Sequence, residues 1–148
     1  LSTSETWDMA LSFFYEAGKI AKNSDVTICL EPNPKEYGAN FLTTTEDAAF
    51  FVKQLNHPNI GLQLDTGTLS LNSENPSIIR KVQDVIKHIH ISEPYLKPLS
   101  EMQERHLLYS PYVKPLKCYK TIEMLTDGCK DTLCILHQSL TFAQKLYL

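Results

Sequence analysis

Apolar residues fall into two patterns along this chain. Continuous runs at Val26 to Leu30, Ile60 to Leu64 and Val85 to Ile89, and a weaker one at Lys120 to Ile122, read as buried strands. Between them, apolar residues recur every three or four positions. Trp7, Leu11, Phe14, Gly18 and Ala21 make a helical stripe over Glu5 to Lys22, which stops at Asn23-Ser-Asp25. A second helix is expected over Glu46 to Leu55, capped by Thr44 or Thr45 and ended by His57-Pro58. Asn75-Pro76 opens a third, whose apolar face is Ile78, Ile79, Val82 and Val85. A last helix over Asp131 to Tyr147 carries Leu133, Leu136, Leu140 and Ala143. Pro32, Pro34 and Gly38 mark Pro32 to Leu42 as a surface loop. Pro94, Pro98, Pro111 and Pro115 punctuate Glu93 to Tyr119, so any helix there is expected to be short or broken.

Strands that are apolar throughout, rather than at every second residue, belong in a parallel sheet joined by right-handed strand-helix-strand units. The fold class is therefore α/β, with four strands and about four helices in a single domain over residues 1–148. At 148 residues, 43% of them hydrophobic, the chain can bury a core of its own. A net charge of -3 argues against a nucleic-acid partner. No apolar run is long enough to span a membrane and the N-terminus does not read as a secretory signal, so a soluble, cytoplasmic protein is expected. Cys29, Cys118, Cys129 and Cys134 form no C-x-x-C pair and read as reduced structural thiols.

Candidate chemistry sits directly after the strands. Glu31, Asp65, His90 and Glu123 each follow an apolar run, and a parallel sheet presents all its strand ends on one face. Three carboxylates and one imidazole suit a divalent cation such as Mn²⁺, Mg²⁺, Co²⁺ or Zn²⁺, with coordination positions left for substrate oxygens. His88 is expected to turn away from His90 and pack outward against a helix. His57, His106 and His137 show no partner pattern.

The runs Leu30-Glu-Pro-Asn33, Leu64-Asp-Thr-Gly67, His88-Ile-His-Ile-Ser-Glu93 and Thr121-Ile-Glu-Met124 resemble the xylose-isomerase-like TIM barrels, the group of sugar-phosphate isomerases and epimerases, ketose 3-epimerases and inosose dehydratases. Their order and spacing resemble strands five to eight of the eight-stranded barrel, so the resemblance implies half a (β/α)₈ barrel without its first four strands. It implies that Glu31, Asp65, His90 and Glu123 bind one divalent metal. Glu31 and Glu123 then act as base and acid, moving a proton next to the carbonyl of a sugar or sugar phosphate. Asn33, Thr68, Glu93 and Lys97 are candidate substrate contacts, although solvated loop charges are the plainer reading of the last two.

Where many relatives read D-x-x-H, this chain has Asp65-Thr-Gly-Thr68, and a threonine can hydrogen-bond a hydroxyl but cannot do imidazole chemistry. That departure disfavours a third reading, an apurinic endonuclease-like hydrolase, which needs further His and Asp ligands. An open half-barrel has unpaired edges. Its inner layer, expected to be Ile28, Leu30, Leu62, Leu64, Ile89 and Ile91, should not be fully buried by the chain's own helices. A homodimer or a complementing first half-barrel would cover it. Alternatively the chain is a catalytically inactive truncated remnant or interaction module, and little turnover is expected from it alone.

Overall fold

A computed structural model describes residues 3–99 and 103–148; residues 100–102, inside the proline-punctuated stretch, lie outside it. Four parallel strands, β1 Ile28–Leu30, β2 Ile60–Asp65, β3 Ile86–Ser92 and β4 Tyr119–Glu123, lie side by side in chain order. Among the described residues, six α-helices connect and flank them: α1 Thr3–Asn23, α2 Thr45–Leu55, α3 Thr66–Leu71, α4 Ile78–Val82, α5 Gln103–Val113 and α6 Thr132–Tyr147. Consecutive strands pair in parallel because each crossover carries at least one helix back across the same face of the sheet. The architecture is a partial TIM barrel.

The core lies between the sheet and those helices. Leu62, Leu64, Ile89 and Ile91 are all but fully buried, in one cluster with Phe51 and Val52 of α2, Ile79 of α4, and Tyr109 and Val113 of α5. This corrects the expectation that these residues form an uncovered inner layer. Side chains alternate along a strand. If Asp65 and His90 face the strand-end site, Leu64, Ile89 and Ile91 must face the helices, and the free face carries polar side chains instead: Gln63, Asp65, His88 and His90. A bulge sets this phase in β3. Leu62 is matched to Ile86 and Gln63 to His88, leaving Lys87 as the extra residue. Ile86 thereby stays on the helix side while His88 and His90 turn to the other.

Helix boundaries differ from expectation in three places. α3 begins immediately after β2, because Asp65 caps it: the Thr68 amide donates to Asp65 Oδ1. α4 starts at Ile78, since Asn75 Oδ1 accepts from the Ser77 amide and holds Asn75-Pro76-Ser77 in a turn. α5 is neither short nor broken but continues through Pro111. That proline lies two residues from the helix end, so it removes little of the ladder, while burial of His106, Tyr109 and Val113 holds the helix down.

Leu64 has no exposed surface. Its replacement by alanine is expected to lower stability by about 2–5 kcal/mol, through lost transfer energy and an unfilled cavity. The shift of the urea midpoint measures this.

Candidate metal centre

The strand register brings the four strand-end residues together. Asp65 is paired with His90 across β2 and β3, Ser92 with Glu123 across β3 and β4, and Glu31 follows the last residue of β1. Ligand atoms of Glu31, Asp65, His90 and Glu123 all lie within 4.8 Å of one another, and this is the one such cluster among the described residues. His90 occupies its middle, with Nδ1 2.9 Å from Glu31 Oε1 and 3.0 Å from Glu123 Oε2. Asp65 forms the floor and is buried, whereas Glu31 and Glu123 keep 39% and 41% of their side-chain surface open. The buried carboxylate is held; the two open ones can reach a bound molecule.

Electrostatics follow from this packing. The hydrogen bond to Glu31 raises the His90 imidazole above its ordinary pKa, against the opposing effect of burial, and the Glu31, Glu123 and Asp65 charges add to the rise. Burial pushes the Asp65 carboxyl up, partly offset by the hydrogen bonds it accepts from Ser92 and Thr68. Burial and then the neighbouring His90 lower His88. Three carboxylates and one imidazole in so small a volume make a donor set that fits a hard or borderline divalent cation.

His88 does not pack outward against a helix. Residues two apart in a strand share a face, so His88 lies beside His90, their rings 5.2 Å apart and nearly perpendicular, with Nδ1 2.8 Å from Gln63 Oε1. The candidate substrate contacts separate. Asn33 is exposed two residues beyond Glu31, its amide donating to the Leu42 carbonyl. Thr68 is buried and its hydroxyl donates to the Pro32 carbonyl at 3.3 Å, so it ties two loops together rather than standing free for a ligand. Glu93 is no solvated loop charge. It is 2% exposed and lies 2.9 Å from His106 Nε2, so its carboxylate is engaged inside the protein. His106 therefore does have a partner. Lys97 is exposed and lines a shallow cleft with Ser70, Ser73, Tyr95 and Arg105 rather than with the strand-end cluster. The four cysteines are unpaired.

Two features of the site went unread in the sequence. Ser92 lies on the same strand face as His88 and His90, which their even spacing signals, and its hydroxyl touches Asp65. The loops after β1 and β3 are joined where Tyr37 Oη accepts from the Tyr95 amide at 2.7 Å, with the two rings 5.6 Å apart. Tyr95 is held at φ 60° and ψ 25°, a left-handed conformation that costs a non-glycine residue on the order of 1–3 kcal/mol. Burial is the main cause of the raised Tyr37 pKa, and the charges of Asp65 and Glu123 contribute.

The family described as xylose isomerase-like TIM barrel matches residues 2–111. A D-psicose 3-epimerase of Ruminiclostridium cellulolyticum is 30% identical over 90 residues, 59% of this chain and 30% of that protein. A mannonate dehydratase of Rhizobium meliloti is 25% identical over 107 residues, 66% of this chain and 27% of that protein. Among solved structures, D-psicose 3-epimerase with D-tagatose from Clostridium cellulolyticum superposes with a TM-score of 0.88 at 16% identity, over 99% of this chain and 58% of that one. The 3-keto-D-glucoside 4-epimerase of E. coli gives 0.84 at 16% identity, over 98% and 56%. The chain thus spans little more than half the length of these solved structures, and the identity to them carries the fold alone.

Proposed function

Since this chain belongs to the xylose isomerase-like TIM barrel family, we propose that it is a sugar or sugar-phosphate isomerase- or epimerase-type domain that moves a proton next to a substrate carbonyl. The observation that carries this reading is the convergence of Glu31, Asp65, His90 and Glu123 within 4.8 Å at the carboxyl ends of four parallel strands. Those four side chains would hold one divalent cation of the Mn²⁺, Mg²⁺, Co²⁺ or Zn²⁺ group. The bound cation would polarise the substrate carbonyl and so acidify the adjacent C–H.

The remaining work falls to the protein. Glu31 and Glu123 both reach His90 Nδ1 and are the more open carboxylates of the cluster. One takes the proton and the other returns it, so the two must approach the reacting carbon from different directions. Asp65 is buried and its oxygens are engaged by Thr68 and Ser92, which suits a fixed ligand and not a proton carrier. The epimerases among the relatives favour a ketose or keto-sugar as the substrate class.

Calorimetric titration with Mn²⁺ is the first test. Uptake is expected at a single site, weakened by Asp65→Asn, and binding to the folded state alone stabilises it by about 2.7 kcal/mol at a hundredfold excess over Kd. Incubation of D-fructose, D-psicose and D-tagatose in D₂O with Mn²⁺, followed by NMR, should then show slow uptake of deuterium at the carbon beside the carbonyl, slow because the chain spans only part of the barrel that would position the substrate. No Mn²⁺ uptake would remove the metal reading. Uptake without exchange on any ketose would remove the epimerase reading, and cleavage of abasic DNA would move the chain to the hydrolase class.

A further inference from the structure

Behind the four ligand atoms lies a hydrogen-bond system whose donors and acceptors run in one direction. Ser92, 2% exposed at the end of β3, accepts at Oγ from the Gly67 amide at 2.9 Å. Its single hydroxyl proton is therefore left for Asp65 Oδ2, 2.5 Å away. The other oxygen, Oδ1, takes the Thr68 amide at 2.5 Å. Both oxygens of the buried carboxylate thus have a fixed donor, which pins its plane.

Ser92 is itself held in place. Its amide donates to Thr66 Oγ1 at 2.8 Å, and the Thr66 hydroxyl donates back to the Ser92 carbonyl at 2.7 Å, closing a ring between the start of α3 and the end of β3. Gly67 packs closely against them: a Cβ there would lie 3.0 Å from both Ser92 Oγ and the Glu93 carbonyl oxygen, and would push these neighbours by a few tenths of an ångström. A helix cap needs only Asp65 and the Thr68 amide. Thr66, Gly67 and Ser92 add nothing to the cap; what they share is the direction of one hydroxyl.

We propose that Ser92 is a positioning residue that aims Asp65 into the strand-end cluster, with Thr66 and Gly67 as its holders. The inference rests on the metal reading above. Residues behind a ligand that fix its orientation typically contribute about 10–100-fold to metal affinity.

The test is Mn²⁺ titration of the whole chain followed by electron paramagnetic resonance, alongside the thermal midpoint of the metal-free protein. Ser92→Ala is expected to weaken Mn²⁺ binding by about 10–100-fold and to broaden the bound spectrum, because Asp65 can then rotate. Thr66→Val breaks the same ring without touching Asp65. Because it loosens the Ser92 backbone but leaves the hydroxyl that Asp65 accepts from, it is expected to weaken Mn²⁺ binding clearly less than Ser92→Ala, even where it lowers the thermal midpoint as much. Ser92→Cys keeps a weaker donor and should fall between the serine and alanine forms; it carries the comparison if Ser92→Ala does not fold, and unaltered affinity there overturns the inference. Ser92→Ala binding as tightly as the unsubstituted chain, or Thr66→Val weakening it equally, also overturns it. These outcomes differ from the failure of the metal reading itself, in which the unsubstituted chain takes up no Mn²⁺ and this inference falls with it.

Discussion

Glu31→Gln and Glu123→Gln are each expected to slow Mn²⁺-dependent exchange of the proton beside a ketose carbonyl by about 10²–10⁴-fold, the usual contribution of a placed acid or base. Glutamine keeps the volume and one oxygen but has no proton affinity in the working range. It also removes one negative charge from the cluster around His90 Nδ1, where Glu31 and Glu123 approach to 2.9 and 3.0 Å. Part of the loss will therefore be weaker metal uptake, and rates must be compared at saturating Mn²⁺. The residual loss under saturation belongs to proton transfer. Asp65→Asn should behave differently, because its side chain is buried. Its defect should be mainly in affinity and should shrink as Mn²⁺ is raised. His57, whose Nδ1 accepts from the Asn59 amide at 3.2 Å on another part of the chain, should be replaceable by alanine without effect on exchange. Exchange that persists at full rate in both glutamine variants under saturating metal would sink the two-glutamate mechanism.

Glu93→Ala is expected to destabilise the protein by about 1–3 kcal/mol, the range for leaving a buried hydrogen-bonding group without its partner. Glu93 and His106 retain only 1% and 2% of their side-chain surface, 2.9 Å apart. The other ring nitrogen of His106 meets Tyr147 Oη at 2.5 Å, and Tyr147 has no exposed surface. Three buried polar groups thus tie the segment after β3 to α5 and to the last turn of α6. Removing Glu93 leaves an imidazole nitrogen without its partner where no water reaches it, and the cost is that of an unsatisfied buried group. Against the total of about 5–15 kcal/mol for an ordinary domain, this is a large fraction. Glu93→Gln, which retains an acceptor of the same reach, should cost much less. Urea unfolding compares the two, and a loss below about 1 kcal/mol for Glu93→Ala, the size of an exposed pair, would show that the network contributes little.

Local pattern in the sequence determined the strands, the α/β class and the candidate strand-end residues. Continuous runs such as Ile60 to Leu64 can be buried on both faces only in a parallel sheet, and such a sheet puts Glu31, Asp65, His90 and Glu123 at one end whatever the details of packing. Thr44 likewise announced the start of α2, where its hydroxyl accepts from the Asp47 amide. The tertiary structure alone decided what depends on partners distant in the chain. Which face of β3 carries Ile89 and which carries His90 follows from strand alternation and a bulge at Lys87, a registry event between two strands. The apolar layer therefore belongs to the helices and not to the barrel interior. α3 depends on a capping carboxylate that the sequence marks equally well as a ligand. Glu93 reads as a surface charge beside proline until His106, on a helix thirteen positions further on, is packed against it. Ser92 and Gly67 acquire a role only when β3 and the start of α3 come within hydrogen-bonding distance, because the direction of a hydroxyl is set by its three-dimensional neighbours and leaves no periodic trace in the chain.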